Sequence, residues 1–154
     1  ENWQDLVNPT KPIKYTLSVK NLAALELTGA GNAVIETLKS TNLALKITGA
    51  GDIKIAKLEA ASVVTSLGGA GNIDLAGKVT KQEVTLSGLG NYSAGNLESL
   101  TAKITLTGAG GATLWAKDAL DVTITGVGSA GYYGSPKITK TITGLGVLNS
   151  LGSK

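Results

Sequence analysis

Apolar and polar residues alternate in short runs along most of the chain. The residue two places before each Gly-x-Gly element is Leu or Ile, as in Leu27, Ile47 and Leu67, and the alternation resumes after the glycines at Ile53 and Ile55. A period of two predicts β-strands, because successive side chains of a strand point to opposite faces. The sequence therefore predicts an all-β protein.

The Gly-x-Gly element recurs at regular intervals. Its first glycine stands at positions 29, 49, 69, 88, 108, 126 and 144, so the repeat is 18 to 20 residues long. A unit this short cannot bury its own apolar face and must stack on its neighbours. We predict a single-stranded β-solenoid, similar to a parallel β-helix, of about seven coils with three short strands and three corners each. The glycines are expected to turn the chain at φ values that other residues avoid. A third apolar column is expected to form another side of the coil, at Leu38, Leu58, Val79 and Leu97.

The first 20 residues do not follow the repeat. The segment VNPTKP is interrupted by prolines, and one alternating strand follows it. We expect residues 1–20 to cap the solenoid or to donate a strand to a neighbouring copy, and residues 21–154 to form the repeat domain. The alternating residues are Ile13, Tyr15, Leu17 and Val19.

Composition removes several classes of chemistry. The chain has no Cys and no His, which excludes disulfides, thiol catalysis and imidazole chemistry. Its 14 basic residues are all lysine and the net charge is only +3, which does not favour nucleic-acid binding. No apolar run reaches the roughly 20 residues of a membrane span. The sequence shows no signal peptide, so we expect that an export signal has been removed.

The acidic residues do not form a catalytic pair. In the repeat alignment, only Glu26 with Lys46 and Lys54 with Asp74 share columns, which predicts exposed ion pairs between coils. Enzymes built on parallel β-helices instead cluster their carboxylates. We therefore expect no enzymatic activity.

Two glycine motifs come near known ligand sites. GGAGNID at 68–74 approaches the calcium-binding pattern Gly-Gly-x-Gly-x-Asp, but it occurs once and its Asp is one place late. GVGSAG at 126–131 fits the dinucleotide pattern literally, yet YYGSP does not begin the helix that pattern requires. We expect neither a metal nor a cofactor.

Two outward-facing sets of residues are candidate interaction surfaces. Threonines before the corner offer hydroxyls to ordered water or a glycan, although threonine also simply suits an exposed β surface. Trp115 and Tyr133 fall on the outward phase, where their rings either stack on sugars or cover the side of the solenoid, whereas Tyr132 falls on the inward phase. The threonines are Thr85, Thr105, Thr107, Thr123, Thr125, Thr141 and Thr143.

The residue between the two glycines is apolar in every unit. We expect these side chains to tuck into the corner; the alternative is an apolar stripe that contacts another molecule. They are Ala30, Ala50, Ala70, Leu89, Ala109, Val127 and Leu145.

The last coil is also apolar and carries few charges before Lys154. Unpaired strand edges at the end of a solenoid favour association with another copy. We therefore predict end-to-end stacking into larger assemblies. The predicted assembly ends are Ile13, Tyr15, Leu17 and Val19 on one side, and Leu145, Val147, Leu148 and Leu151 on the other.

The segments GATLWAKDALDVTITGVG at 111–128 and YYGSPKITKTITGLG at 132–146, with the recurring strand-Gly-x-Gly-Asn/Asp-strand unit, carry a family resemblance. From about residue 22 to 152 the sequence resembles the head GIN domain of "putative autotransporter adhesins", a bacterial family. The resemblance implies an exported β-solenoid domain at the cell surface with no catalytic residues. The sequence departs from the family in its corner, where the family usually has Ser between the glycines.

Together these features predict a non-enzymatic, adhesin-like surface or structural protein, located outside the cell or in the cell envelope, that joins end to end with copies of itself. The alternative is a carbohydrate-binding module of the envelope that contacts surface glycans. The interpretation that the sequence favours least is a β-helix enzyme that acts on polysaccharides.

Overall fold

A computed structural model describes residues 22–154, and all strands in this part of the chain belong to one parallel sheet. The sheet winds into a β-solenoid of about seven turns, which confirms the predicted fold. The described residues contain no helix. The strands are β1 (Ala24–Leu27), β2 (Asn32–Ile35), β3 (Leu38–Ile47), β4 (Asp52–Leu67), β5 (Asn72–Leu86), β6 (Asn91–Leu106), β7 (Gly111–Ile124), β8 (Ser129–Tyr133), β9 (Lys137–Ile142) and β10 (Val147–Ser150).

Equivalent residues of successive repeats lie directly above one another. The column that precedes the corner stacks aliphatic side chains in register through five coils, and all of them are buried. Because the side chains of a column point the same way, the period-two pattern gives every coil the same apolar interior. This column comprises Ile47, Leu67, Leu86, Leu106 and Ile124.

The coils have longer strands than the sequence predicts. The strands β4 to β7 contain 14 to 16 residues each, so each strand bends round most of one coil and only the glycine corner separates it from the next. The pairing shifts register between Ile55 and Leu58, and again between Ala94 and Glu98. Such bulges bend a strand without ending it. The prediction of three separate short strands per coil was therefore wrong.

The corner glycines are required by close stacking and not by their backbone angles. A Cβ added to Gly49 would collide with the carbonyl oxygen of Gly29 in the preceding coil, and one added to Gly51 would collide with that of Gly31. The prediction that corner glycines adopt unusual φ values was wrong, because left-handed φ values occur elsewhere. Among the described glycines they are found at Gly77, Gly134 and Gly152.

The apolar residue between the glycines points outward. Its backbone N–H continues the ladder, as when Leu89 N donates to the Gly69 carbonyl at 3.1 Å. The side chains of Leu89, Val127 and Leu145 are 70%, 60% and 84% exposed. The expectation that these side chains tuck into the corner was wrong, because the two stacked glycines leave no room inside it. They form an exposed apolar stripe along one edge of the solenoid.

The third side of the coil departs from its predicted column. Leu58 and Leu97 are buried as expected, but the residue between them in the ladder is Gly77 and not Val79. Gly77 has a φ of +130°, and a Cβ there would collide with the Leu58 carbonyl. Val79 is buried two positions further along, beside Ser99. A register shift that the sequence does not reveal explains the error.

Polar side chains form a connected group inside the core. The Tyr92 hydroxyl donates to Gln82 Oε1 at 3.1 Å, and Gln82 Nε2 donates to Ser99 Oγ at 2.7 Å. Gln82 Nε2 and Ser99 Oγ both donate to the Trp115 carbonyl, at 3.1 Å and 2.6 Å. Burial raises the pKa of Tyr92, so this side chain stays neutral. The group therefore ties β5 and β6 to the backbone of Trp115 on β7.

Candidate functional site

The aromatic pair is brought together by the parallel ladder. Trp115 on β7 pairs with Tyr133 on β8, and Leu151 follows in the same outward column, since its N–H donates to the Tyr132 carbonyl at 2.8 Å. Both aromatic side chains are half-buried. Tyr132 is also half-buried and packs against the core, in agreement with its inward phase.

A glycine makes room for the Tyr133 ring. A Cβ at Gly95 would lie 3.0 Å from Tyr133 Cε2 and 3.1 Å from Thr113 Cγ2. The ring therefore reaches back along the solenoid, over Gly95 of β6 and beside the methyl group of Thr113. A Cβ at position 95 would require the ring to shift by a few tenths of an ångström.

Lys154 completes the aromatic site, which we define as Trp115, Tyr133, Gly95, Asn96 and Lys154. The ammonium Nζ donates to the Gly95 carbonyl and to Asn96 Oδ1, both at 2.6 Å. It also lies 4.5 Å from the ring centroid of Tyr133 and 5.7 Å from that of Trp115. Both distances fall within the range of cation–π attraction. The two rings were predicted from the sequence but the other three residues were not, because only the folded ladder brings them within reach.

A shallow lateral depression of about 310 Å³ adjoins the aromatic site. Its outward-facing lining is built from short polar side chains and glycines of β6, β7, β8 and β10, stacked in register. Ser93, Thr113, Gly131 and Asn149 form one column across it. Leu151 closes one side by packing over Gly131, whose missing Cβ would lie 2.8 Å from Leu151 Cδ1. The lining residues are Asn91, Tyr92, Ser93, Gly111, Ala112, Thr113, Ser129, Ala130, Gly131, Asn149 and Leu151.

The predicted threonines lie on the other side of the glycine corner. Thr85, Thr105, Thr123 and Thr141 stack in one column of the strands that precede the corner, whereas the aromatic pair lies on the strands that follow it. Thr107, Thr125 and Thr143 form a second, exposed column beside them. Hence the structure does not bring the threonines and the aromatic pair into one site.

The predicted assembly residues have different environments. Leu145 and Val147 are exposed, but Leu148 packs against the core and Leu151 lies against the lateral depression. The other four, Ile13, Tyr15, Leu17 and Val19, lie outside the described residues.

Charged side chains form ion pairs between coils. The two predicted pairs are present, with Lys46 Nζ 2.7 Å from Glu26 Oε1 and Lys54 Nζ 4.0 Å from Asp74 Oδ2. The view that only these columns pair was wrong, since Lys39 binds Glu59 at 2.6 Å across the same 20-residue spacing.

Glu98 is the most heavily paired acid. It lies 3.2 Å from Lys78 and 3.4 Å from Lys117, and the hydrogen bond from Lys78 lowers the pKa of Glu98 most. Within residues 22–154, no three acidic side chains are grouped closely enough to hold a metal ion. The charges therefore join neighbouring coils at the surface.

Comparison with known proteins places this architecture in one family. Residues 2–136 match the model of the family described as "Putative auto-transporter adhesin, head GIN domain". No curated protein matches the chain. Over the described residues, no helix is long and apolar enough to cross a membrane.

Several crystal structures share the fold. A protein of Bacteroides fragilis named a putative adhesin superposes with a TM-score of 0.81 and 29% identity, over 84% of this chain and 61% of its own. One of Parabacteroides distasonis named a putative lipid binding protein gives a TM-score of 0.79 and 27% identity, over 83% of this chain and 52% of its own. The chain thus spans between half and two thirds of these proteins.

Proposed function

The chain belongs to the family "Putative auto-transporter adhesin, head GIN domain", and from this premise we propose that it is a non-enzymatic, adhesin-like module that binds carbohydrate through its lateral depression. The observation that carries this proposal is the arrangement of short polar side chains beside an aromatic ring. Hydroxyl and amide groups of Ser93, Thr113 and Asn149 face a concave surface that the Tyr133 column borders.

This composition suits weak, repeated contacts with sugars. Sugars present hydroxyl groups on their edges and apolar C–H groups on their faces, so short polar side chains and an aromatic face complement both. The depression is shallow, which suits a polymer or a surface glycan better than a fully enclosed small molecule. A protein that presents such a surface outside the cell or in its envelope, after export, would act as an adhesin.

The absence of enzymatic activity is part of the proposal. The acids described above are paired with lysines on the outside of the coils, and the lining of the depression contains no carboxylate. Polysaccharide-cleaving enzymes need an acid and a base on either side of the bond that breaks. Binding without cleavage is what such a lining supports.

A matched pair of substitutions on β7 tests the location of the site. Thr113→Val removes a hydroxyl from the depression, and Thr123→Val removes one from the threonine columns; both side chains are half-buried. On a glycan array we expect Thr113→Val to weaken binding about five- to tenfold, since a lost hydrogen bond costs about 1 kcal/mol, and Thr123→Val to bind as the wild type. The reverse ranking would move the site to the threonines, and an array without hits would remove the proposal.

We also propose, as a second candidate, self-assembly through the last coil. The six side chains of β9 are all exposed, and they include Ile138 and Ile142 at positions of inward phase. An exposed strand with apolar inward positions can continue the ladder with another copy. Light scattering against concentration, with negative-stain microscopy of the same sample, tests this. Rods that lengthen with concentration support assembly, and a monomer at all concentrations contradicts it.

A further inference from the structure

The aromatic site provides two kinds of attraction for one ammonium group. Two oxygen acceptors, the Gly95 carbonyl and Asn96 Oδ1, lie 2.6 Å from Lys154 Nζ. The Tyr133 and Trp115 rings contribute the negative faces of their π systems from 4.5 Å and 5.7 Å. Lys154 forms no salt bridge with the acids of residues 22–154. Neutral groups therefore recognise this cation.

These acceptors select for the chemistry of a primary ammonium. Lysine carries three N–H donors and no acceptor, so it satisfies both oxygens and presents its remaining positive surface to the rings. A sugar hydroxyl could donate to one of these oxygens but would gain no cation–π attraction. The site is thus chemically distinct from the polar depression beside it.

Few backbone hydrogen bonds hold the segment that carries Lys154 against the solenoid. Leu151 N donates to the Tyr132 carbonyl at 2.8 Å, and Gly134 N donates to the Gly152 carbonyl at 2.9 Å. Gly152 has a φ of +97°, which glycine adopts without strain, and Lys154 itself is exposed. Lys154 can leave the site without disturbing the coils, because its contacts lie on the surface.

We propose that the aromatic site is a binding site for the lysine side chain of a protein partner, and that Lys154 occupies it as an internal competitor. An unbranched alkylammonium reproduces the present occupant atom by atom, whereas the amine of an amino sugar carries hydroxyl-substituted ring carbons next to its nitrogen. The inference deepens the proposed function, since it rests on the same lateral surface being a binding surface. A partner lysine gains the site only when Lys154 is displaced.

Fluorescence of Trp115 tests the proposal directly. The chain has two tryptophans, and Trp3→Phe leaves Trp115 as the only one. In this background, Lys154→Ala empties the site, and Nα-acetyl-lysine methylamide is then titrated. We expect saturable quenching that is about tenfold weaker with Lys154 present, because a tethered competitor acts at an effective concentration in the millimolar range. Lys137→Ala, which removes an exposed lysine of β9, is the matched control and should behave as the wild type.

Variants and probes identify the groups responsible. Tyr133→Leu and Asn96→Ala, each combined with Lys154→Ala, should weaken binding of the lysine probe at least fivefold, with circular dichroism showing that the fold is kept. The norleucine analogue, which lacks the ammonium, should not bind. Equal binding of norleucine would overturn recognition of the cation, and equal binding of glucosamine would overturn the assignment to lysine.

Absence of any saturable response in folded Lys154→Ala protein would overturn the whole inference. The glycan array gives an independent answer, because Thr113→Val does not remove any group that contacts Lys154. A negative array with a positive lysine titration would reject carbohydrate binding alone, and the opposite result would reject the lysine site alone.

Discussion

Single residues are most informative where they depart from their column. Thr65 stands between Leu45 and Val84 in an inward column, and its hydroxyl is buried. Thr65 lies beside Tyr92, but the Tyr92 hydroxyl donates to Gln82. Among the described residues, no group lies in a position to form a hydrogen bond with Thr65 Oγ1. A buried hydroxyl without a partner lowers stability, because it has lost its bonds to water.

Thr65→Val should therefore stabilise the protein. Valine keeps the shape of threonine and removes the desolvated hydroxyl, so we expect the free energy of unfolding to rise by about 1 kcal/mol. The urea midpoint measures this, with Thr85→Val at an exposed position as the control that should change stability by less than about 0.5 kcal/mol. A lower midpoint for Thr65→Val would mean that the hydroxyl does have a partner.

Tyr92 gives the protein a sensitivity to alkaline pH. Burial raises the pKa of Tyr92 above its ordinary value of 10.0, so its stabilising effect is complete below pH 10 and is lost as the pH rises further, when only the unfolded state ionises. Above that pH this residue should lower the free energy of unfolding by about 1.4 kcal/mol per pH unit.

Tyr92→Phe should remove that part of the alkaline destabilisation. At pH 7 the variant should lose about 1 kcal/mol with the hydrogen bond to Gln82, yet its stability should fall less steeply than that of the wild type between about pH 10 and 11. Urea unfolding at several pH values compares the two slopes. Parallel slopes would show that Tyr92 ionises equally in the folded and unfolded states.

At the scale of elements, the glycine corner sets how closely coils stack. Each corner glycine after the first unit lies against the backbone of the coil before it, so a single methyl group has no space there. The added methyl group would collide with backbone atoms, and these atoms can move only if the whole ladder shifts. Other parts of the coil tolerate bulges, because a bulge bends the strand without ending it.

Gly69→Ala should destabilise the solenoid strongly. Its Cβ would collide with the Gly49 carbonyl, whereas a Cβ at the equivalent Gly29 has no described atom within 4 Å. We expect Gly69→Ala to lower the free energy of unfolding by about 3 kcal/mol or to prevent folding, and Gly29→Ala to cost less than about 1 kcal/mol. Thermal unfolding followed by circular dichroism compares the pair. Equal losses would show that backbone entropy, not stacking, explains the glycines.

At the scale of the whole molecule, the proposed self-assembly depends on the last coil. Lys140 occupies an inward position of β9, in the column of Ile104 and Val122. A charge at an inward position of an edge strand opposes pairing with another chain, because pairing would bury it. Assembly through this coil therefore has a built-in cost that the apolar residues must exceed.

Lys140→Ile should promote assembly. The substitution continues the apolar column and removes the charge that pairing would bury, so the apparent particle mass at a given concentration should increase several-fold in light scattering. Lys137→Ile, which adds an apolar residue at the outward phase of the same strand, is the control. No difference between the two variants would argue against end-to-end stacking through β9.

Much of the fold could be predicted from the sequence, because the same alternation of inward and outward residues recurs in every repeat. The inward residues Ile47, Leu67, Ile53 and Ile55 were identified from their period alone, and all are buried. The Gly77 column and the exposed apolar stripe were not predicted. The column depends on a register shift, and the stripe depends on how closely two backbones approach. Of the candidate site, Trp115 and Tyr133 were predicted, but Gly95, Asn96 and Lys154 were not. Lys154 lies 59 residues from Gly95 and 58 from Asn96 in the sequence, so no local pattern joins them.

The sequence by itself determined the repeat, the parallel stacking and the interior of this protein, because a period of two within a period of about 20 leaves one way to bury the apolar residues. Only the tertiary structure decided which outward residues meet. Exposed positions carry little packing information, and their neighbours come from other coils through the exact register of the ladder. The lateral depression and the aromatic site arise from that register, as does the separation of both from the threonine columns.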